Sequence, residues 1–293
     1  MKIVYVGFDT LYEALPSLAA AGGEVMQVVT FPVDNVTEFN ARTRAYAEAR
    51  GIPCRVGRIA PEDIERWQAA GAEALVCCGY PYRIPTGGTL PMVNIHPSLL
   101  PVGRGAWPMP VTLLRGLRES GLTVHKLTAG FDEGDILLQR AVPVRADDTL
   151  QTLTERLRGL LPELTAALLS DFARLYAQAR PQGAGEYWDC PREADYPLFP
   201  AMCAAEADRI LRAFYGYECV YRAAGGVYGV TGGRAYRQPT AGGRADSAGL
   251  AAAGAEADGA APAMPEQGGF SLPLRDGVIW ARQVRRMNGA EPQ

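Results

Sequence analysis

The residues Asn94-Ile95-His96-Pro97-Ser98-Leu99-Leu100-Pro101 follow an apolar pair, Met92-Val93, and are interrupted by two prolines. This pattern predicts a buried strand that ends near His96. Side chains two positions apart share one face of a strand, so Asn94 and His96 can act on the same small molecule. His96 is one of only two histidines in the 293 residues. The segment therefore places an amide and an imidazole together at the end of a strand.

The segments on both sides of this strand alternate between strand-like and helix-like patterns. This order predicts a mostly parallel sheet with helices on both faces, a Rossmann-like α/β fold. Ligands of such sheets bind beyond the carboxyl ends of the strands, where His96 would lie. The predicted strands are 2–8, 25–31, 53–56, 74–78, 93–96, 122–127 and 136–144, and the predicted helices are 11–21, 39–50, 61–70, 108–116 and 150 to about 179.

The composition changes after residue 180. Residues 1–180 are predicted to form the α/β domain, and residues 181–200 a linker that contains Pro and Gly. Residues 201–293 combine one helix with short β-type runs, which predicts a small β-rich second domain. Within it, residues 239–269 are rich in Ala and Gly and have hardly any large apolar side chain, so we expect a disordered loop there.

The overall composition narrows the class of protein. The net charge is −3, which does not indicate a nucleic-acid-binding protein. The six cysteines form no CxxC pair, and we expect them to be reduced. Residues 1–8 have the pattern of a strand rather than of a signal peptide, and no apolar run is long enough to span a bilayer. We therefore expect a cytoplasmic protein with no membrane partner.

A second polar segment follows the predicted strand that carries the other histidine, His125. It is rich in Gly and Asp and includes Asp132. If Asp132 folds back beside His96, the site combines an amide, an imidazole and a carboxylate, and the carboxylate would raise the pKa of the imidazole. The amide can donate to an oxygen that becomes negative in a transition state. This set suits acyl transfer in which an amine of the substrate is the attacking group.

The residues alone leave other interpretations open. An Asn or Asp in a turn is commonly a cap or a turn former, and a lone histidine is more often structural than catalytic. Two histidines, an Asn and an Asp also suggest a metal site. Neither histidine segment has a recognised ligand spacing, however, so we expect no metal.

Asn94 to Pro101, followed by Arg104-Gly105, closely resembles the signature of the 10-formyltetrahydrofolate-dependent formyltransferases. The segment from Val124-His125 to Ile136 resembles the second motif of that family, in matching order and spacing. The resemblance covers nearly the whole chain. It implies a catalytic domain over residues 1–180, an OB-like β-barrel domain over about 200–290 as in methionyl-tRNA formyltransferase and its relatives, and 10-formyltetrahydrofolate as the co-substrate.

The resemblance also implies a role for each matching residue. Asn94 would stabilise the oxyanion, His96 would accept the proton of the attacking amine, and Asp132 would hold a water and tune His96. His125 would steady Asp132. Folate would be bound largely by backbone groups, beside a loop that shapes the formyl site, and the matching positions are Tyr82, Arg83, Ile84, Ser98, Leu99, Ala129, Gly130 and Phe131.

The acceptor of the formyl group is predicted from segments outside these motifs. A phosphoribosyl acceptor would need a Gly-rich loop after the first strand that binds phosphate through backbone N–H groups. The acidic residue Asp9 lies at this position, which disfavours such an acceptor. Residues 31–39 contain two acids and no base, which disfavours tRNA. Trp107 occupies a position where the family usually has a small residue, and its ring would narrow the pocket. We expect the acceptor pocket to include Phe8, Thr10, Arg104 and Trp107.

The sequence therefore predicts an N-formyltransferase that acts on a small amine, such as an amino sugar or a hydroxyornithine. Methionyl-tRNA formyltransferase is the first alternative. A catalytically inactive folate-binding protein is the second, although an intact set of three site residues argues against it. A homodimer is compatible with each of these.

Overall fold

The structure is a computed structural model that describes residues 1–34, 38–238 and 269–287. It divides into two compact units, Met1–Pro191 and Arg192–Gln293. Residues 239–268, which make up nearly all of the predicted disordered loop, lie outside the described residues. None of the helices in the described ranges combines the length and the apolar character that a bilayer-spanning segment needs.

A seven-stranded sheet forms the centre of the first unit. The strands of this unit are β1 (Lys2–Gly7), β2 (Glu24–Thr30), β3 (Cys54–Val56), β4 (Ala74–Cys78), β5 (Met92–His96), β6 (Val102–Arg104), β7 (Glu119–Lys126), β8 (Ile136–Pro143) and β9 (Glu186–Tyr187). The helices are α1 (Ala14–Ala20), α2 (Ala41–Ala49), α3 (Pro61–Ala69), α4 (Pro108–Leu114), α5 (Leu150–Ser170) and α6 (Phe172–Ala177). The order across the large sheet is β3-β2-β1-β4-β5-β7-β8.

The predicted α/β fold is confirmed, and the sheet is mostly parallel. Strands β1 to β5 pair in parallel, whereas β7 runs antiparallel to β5 and β8 antiparallel to β7. The antiparallel β5–β7 pair sets Asn94 directly opposite His125. This register brings residues of the two sequence motifs onto neighbouring strands.

The two faces of the sheet are covered by different helices. Val4 and Leu75 belong to a buried cluster with Ile64 and Trp67 of α3 on one face. Helix α5 packs against α1 and β8. Because both faces are covered, β4 is buried along its whole length, which explains its continuous apolar sequence.

Two predicted helices differ from those in the structure. The helix predicted over 11–21 consists of a 3₁₀ turn, Asp9–Leu11, and the separate helix α1. The long helix predicted to run to about residue 179 is interrupted at Asp171, whose backbone φ of −152° and ψ of 43° are not helical. The chain continues from there as the short helix α6. The periodic spacing of apolar residues continues across Asp171, so the sequence predicts one long helix and does not reveal the break at this residue.

The segment that we predicted as the first part of a linker is packed against the first unit. Strand β9 pairs in parallel with β6, and the backbone N–H of Trp188 donates to the carbonyl of Arg104 at 2.8 Å. The Trp188 side chain is 5% exposed. The first unit therefore extends to Pro191 instead of ending near residue 180.

The second unit contains one antiparallel sheet and one α-helix in its described residues. The elements are α7 (Ala204–Ala213), β10 (Cys219–Ala223), β11 (Gly226–Arg237), β12 (Phe270–Leu274) and β13 (Gly277–Met287). The strand order is β10-β11-β13-β12, so that β10 and β12 are edges. The small β-rich second domain that the sequence predicts is thus confirmed as an antiparallel sheet within residues 192–238 and 269–287. Helix α7 packs on β11 and β13 through its apolar face.

Candidate active site

The candidate site lies at the carboxyl end of β5, beside the loop that follows β7. Strand β5 contributes Asn94 and His96, β7 contributes His125, and the loop contributes Asp132. His96 is 5% exposed and His125 is 1% exposed. The antiparallel β5–β7 pair and the loop therefore collect an amide, two imidazoles and a carboxylate in a buried place.

One carboxylate oxygen of Asp132 is the point on which the other side chains converge. Its Oδ1 accepts from the Asn94 Nδ2 at 3.3 Å and lies 3.4 Å from the His96 Nδ1 and 3.3 Å from the His125 Nε2. The other oxygen, Oδ2, accepts the backbone N–H of Gly105 at 2.9 Å. Asp132 has a left-handed backbone, with a φ of 55°. The three residues that we expected to act together are therefore within contact of one another.

The hydrogen-bond partners determine which nitrogen of each imidazole carries the hydrogen. The His96 Nε2 lies 2.7 Å from the carbonyl oxygen of Gly103, and the His125 Nδ1 lies 2.8 Å from that of Lys126. A carbonyl only accepts, so both of these nitrogens are donors. In its neutral form, His96 therefore presents an unprotonated Nδ1 toward Asp132, and this is the atom that can accept a proton.

The pKa values of His96 and Asp132 are both lowered, for different reasons. Burial lowers the pKa of His96, and it outweighs the opposite effects of the Asp132 charge and of the bond to Gly103; His125 lowers it further. Burial alone would raise the pKa of Asp132, but the two imidazoles and the Gly105 N–H lower it to about 2. The Asp132 carboxylate does raise the His96 pKa, as we expected, but burial lowers this pKa by more, so the net shift is downward. His96 is thus a neutral base beside an ionised carboxylate at neutral pH.

The amide of Asn94 is only partly satisfied. Its Nδ2 donates toward Asp132 and also lies 3.2 Å from the His125 Nε2. Its Oδ1 is buried and has no hydrogen-bond partner within the described residues. A buried acceptor without a partner is uncommon in a folded protein, and it suits a hydrogen brought by a ligand.

The two segments expected to bind folate contact each other. The Arg83 guanidinium lies over the Phe131 ring, 5.2 Å from its centroid. Phe131 is 43% exposed, and Ile84 is buried. One residue of the segment Tyr82, Arg83 and Ile84 thus contacts one residue of the segment Ala129, Gly130 and Phe131, and the binding of folate by these segments stays a prediction.

The predicted loop beside the formyl site is held by internal hydrogen bonds. The Ser98 hydroxyl donates to the carbonyl of Val102 at 2.8 Å. The Leu100 N–H donates to the Thr123 hydroxyl at 3.1 Å, which ties the loop to β7. Leu99 lies between these two attachments and is half-buried. The loop is therefore fixed on both sides of Leu99.

The residues predicted for the acceptor pocket are not all placed as we expected. Arg104 is a correction: it is 9% exposed, and its guanidinium bonds Gln182 and the carbonyl of Gly183. Trp107 is half-buried and begins α4 with a φ of 55°. Phe8 packs against Phe31, with 5.1 Å between ring centroids. The guanidinium of Arg104 thus donates its hydrogen bonds to Gln182 and Gly183 of the protein itself.

Thr10 and its neighbour Asp9 are also engaged within the protein. The Thr10 carbonyl accepts from the Arg158 Nε at 2.7 Å. The Asp9 carboxylate accepts the backbone N–H groups of Arg42 and Thr43 and the Thr43 hydroxyl. Asp9 therefore occupies the N-terminus of α2 with a carboxylate of the protein itself, as expected for an anion at a helix N-terminus.

Several residues that organise the site were not found from the sequence. Gly103 and Gly105 bond His96 and Asp132, and both have positive φ angles, 77° and 103°. Their backbone conformation is the physical reason for glycine here, and the two glycines flanking Arg104 were a signal that the sequence offered. Gln182 and Tyr187 lie in the segment that we predicted as a linker.

The sequence matches one family model, described as formyl transferase, over residues 23–168. A methionyl-tRNA formyltransferase of Gluconobacter oxydans is 34% identical over 225 residues, which cover 72% of this chain and 73% of that protein. A methionyl-tRNA formyltransferase of an Anaeromyxobacter species is 36% identical over 176 residues, which cover 55% of each protein. The matched part thus ranges from about half to about three quarters of the length of these curated relatives.

Solved structures are similar in fold. A complex of HypX from Aquifex aeolicus with tetrahydrofolic acid has a TM-score of 0.63 at 15% identity, over 98% of this chain and 44% of that one. A sugar N-formyltransferase from a Shewanella species has a TM-score of 0.58 at 17% identity, over 79% of this chain and 96% of that one. At such identities these structures establish the fold alone.

Proposed function

The chain belongs to the formyl transferase family, and we propose that it transfers a formyl group from 10-formyltetrahydrofolate to an amine. Asn94, His96 and Asp132 are the residues that we assign to the transfer. The observation that carries this assignment is the convergence of the amide and the imidazole on one Asp132 oxygen at 3.3 and 3.4 Å. The site holds a base and a donor but no side-chain nucleophile in that convergence, so the acceptor amine is the attacking group.

In the proposed reaction, the amine nitrogen attacks the formyl carbon and the carbonyl oxygen becomes negative. The His96 Nδ1 takes the proton that the amine loses, and Asp132 stabilises the resulting imidazolium across 3.4 Å. The tetrahedral intermediate collapses when the bond to the folate nitrogen breaks, and that nitrogen takes the proton. The products are the N-formylated amine and tetrahydrofolate.

Asn94 has two functions in this scheme. Its two amide hydrogens face Asp132 and the His125 Nε2 in this structure, and one of them turns to the oxyanion when the substrate binds, as an oxyanion-hole donor does. Its buried Oδ1, which has no partner in the described residues, accepts a hydrogen of the incoming amine and so orients it. His125 supports Asn94, because its unprotonated Nε2 accepts from the Asn94 Nδ2 at 3.2 Å.

For the acceptor, we propose the amino group of an aminoacyl-tRNA, which was our alternative from the sequence. The relatives with 34% and 36% identity are named methionyl-tRNA formyltransferases. Similarity at this level, over 55% and 72% of the chain, supports this acceptor more than the small amine that we expected first.

A small amine is the second candidate, and a local observation favours it. The segment after β2 carries Asp34 and Glu38, and the Glu38 N–H donates to the Asp34 carboxylate at 2.9 Å. Negative charge on this loop repels phosphates. The N-terminus of α2, where a phosphate could bind, is already filled by Asp9.

The two candidates are separated by a comparison of acceptors in one assay. Release of tetrahydrofolate from 10-formyltetrahydrofolate is measured with methionyl-tRNA and with a panel of amino sugars and hydroxyornithine. Turnover with the tRNA at low salt that falls steeply as salt is added supports the first candidate. Turnover with a small amine alone supports the second. No release with either class, from a folded protein that binds folate, contradicts formyl transfer.

A further inference from the structure

We propose that Gln182 is a positioning residue that holds Asp132 against His96 by closing a ring of hydrogen bonds through Arg104. The inference rests on the proposed function, because it assigns Gln182 a task in the transfer step. Gln182 lies outside both sequence motifs, in the segment that precedes β9. It is half-buried and does not touch His96 or the Asp132 carboxylate through any hydrogen bond given by the structure.

The amide of Gln182 donates to two backbone carbonyls of the catalytic loop. Its Nε2 donates to the carbonyl of Asp132 at 3.0 Å and to the carbonyl of Gly134 at 2.6 Å. The two carbonyls flank Glu133, so one amide nitrogen fixes the loop on both sides of that residue. Both hydrogens of the amide nitrogen are used, and the direction of the Asp132 backbone is fixed by them.

Arg104 fixes the orientation of the Gln182 amide. The Gln182 Oε1 accepts from the Arg104 Nε at 3.2 Å and from the Arg104 Nη2 at 3.0 Å. A guanidinium only donates, so the oxygen of the amide faces Arg104 and the nitrogen faces the loop. The same Nη2 donates to the Gly183 carbonyl at 3.1 Å.

The backbone next to Arg104 holds the other two members of the ring. The Gly103 carbonyl accepts from the His96 Nε2, and the Gly105 N–H donates to the Asp132 Oδ2. His96 and Asp132 are thus attached to the residues on either side of Arg104. The Arg104 side chain returns through Gln182 to the backbone of Asp132. The ring closes where the His96 Nδ1 faces the Asp132 Oδ1 at 3.4 Å.

Asp132 has a left-handed backbone, at a φ of 55°. Asp adopts this region more readily than most residues, so the position of its carboxylate depends on the hydrogen bonds around it rather than on the backbone conformation alone. The carboxylate is fixed by Gly105 and Asn94, and Gln182 fixes the carbonyl of the same residue. Without Gln182, the backbone of Asp132 can rotate and carry the carboxylate away from His96.

The test uses the full chain with Gln182→Leu, which removes every bond of this amide. A second variant, Gln182→Met, also removes these bonds but keeps an unbranched side chain of similar length and adds no charge near His96. Gln151→Leu is the matched control, because Gln151 is exposed and its side chain bonds only Glu155 among the residues that the structure describes. For both Gln182 variants we expect kcat to fall about 10- to 100-fold, with the KM for 10-formyltetrahydrofolate changed less than about threefold.

The titration of His96 supplies a readout that does not require activity. The chain has two histidines, so their ring signals can be resolved by NMR and assigned with His96→Ala. Asp132 raises the His96 pKa, and its displacement should therefore move the His96 titration to lower pH in both Gln182 variants and leave it unchanged in Gln151→Leu.

The outcomes separate this inference from the proposed function. A wild-type protein that transfers no formyl group contradicts the proposed function, whereas the shifted His96 titration still supports the ring. An active wild type with unchanged kcat and unchanged His96 titration in folded Gln182→Leu overturns the role of Gln182. If Gln182→Leu does not fold, the same two measurements on Gln182→Met decide, and an unchanged titration there overturns the role.

Discussion

The Nδ1 of His96 lies 3.4 Å from the Oδ1 of Asp132, although the two residues belong to different sequence motifs, His96 to β5 and Asp132 to the loop that follows β7. His96 is fixed through its other nitrogen to the Gly103 carbonyl, and Asp132 is fixed through its other oxygen to the Gly105 N–H. A short stretch of backbone therefore sets the distance between base and carboxylate. Because the Nε2 of His96 is occupied, only the Nδ1 is available for proton transfer, which determines how the site should respond to pH.

The activity should be lost on the acid side as His96 becomes protonated. Burial is the largest influence on the His96 pKa and lowers it from the ordinary value of 6.5. The neutral ring is the base, so kcat/KM should be constant at neutral pH and fall as the pH drops through a pKa below 6.5. Asp132, with a pKa of about 2, stays ionised over this range. The measurement is kcat/KM from about pH 5 to about pH 9.

His96→Ala is the control for this profile. It should lower kcat at least about a hundredfold and abolish the acid limb. An acid limb that survives in the variant would assign the titration to another group. Activity of the variant within a few-fold of wild type would contradict the role of His96.

Asn94→Asp should be more damaging than Asn94→Ala. The alanine variant loses the amide and should lower kcat about a hundredfold, the scale for an oxyanion-hole donor. The aspartate variant also places a second carboxylate near Asp132, where the Asn94 Nδ2 now donates at 3.3 Å. Two carboxylates this close raise the pKa of one of them. Steady-state kinetics at pH 7 compares the variants, and equal activity of Asn94→Asp and wild type would exclude an N–H function.

The sequence predicts the positions of strands better than their direction. The buried run before His96 predicts β5, and the i, i+2 spacing places Asn94 and His96 on one face. It does not predict that β7 runs antiparallel to β5, because a buried strand is apolar in either direction. The pairing of Asn94 with His125 follows from that direction, so it became visible only in the structure.

The sequence predicts site residues that belong to recognisable motifs. It does not predict residues that reach the site through backbone groups or through contacts distant in sequence. Asp132 joined the site through the resemblance, because nothing local shows that its loop folds back. Gln182 was assigned to a linker because composition reports local flexibility and contains no information on tertiary hydrogen bonds. Arg104 was assigned to the acceptor pocket because the sequence does not show in which direction its side chain leaves β6.

Thr149→Ala should destabilise the first unit through the start of α5. Thr149 has an extended backbone and its hydroxyl accepts the Thr152 N–H at 3.2 Å, while the Thr152 hydroxyl accepts the Thr149 N–H at 2.9 Å. Loss of an N-cap hydroxyl costs about 1 kcal/mol in the free energy of unfolding. Urea denaturation measures this loss, and Thr149→Ser, which keeps the hydroxyl, should be close to wild type. Equal losses in both variants would show that the cap is not the cause.

Asp9→Ala should both destabilise the protein and create an anion site. The Asp9 carboxylate accepts the Arg42 N–H at 2.9 Å, the Thr43 N–H at 2.9 Å and the Thr43 hydroxyl at 2.8 Å, and the residue is 8% exposed. Its removal leaves three donors without a partner at the N-terminus of α2, which should cost about 2 to 4 kcal/mol in the free energy of unfolding.

The vacated N-terminus should then bind inorganic phosphate. Two free N–H groups at the start of a helix attract an anion, so phosphate should raise the Tm of Asp9→Ala more than that of wild type. Thermal unfolding with and without phosphate, at constant ionic strength, provides the measurement. Asp9→Asn is the matched control, because it fills the same space without the charge. Equal stabilisation of wild type by phosphate would show that anions bind elsewhere, and would remove the argument that Asp9 excludes a phosphorylated acceptor from this end of the sheet.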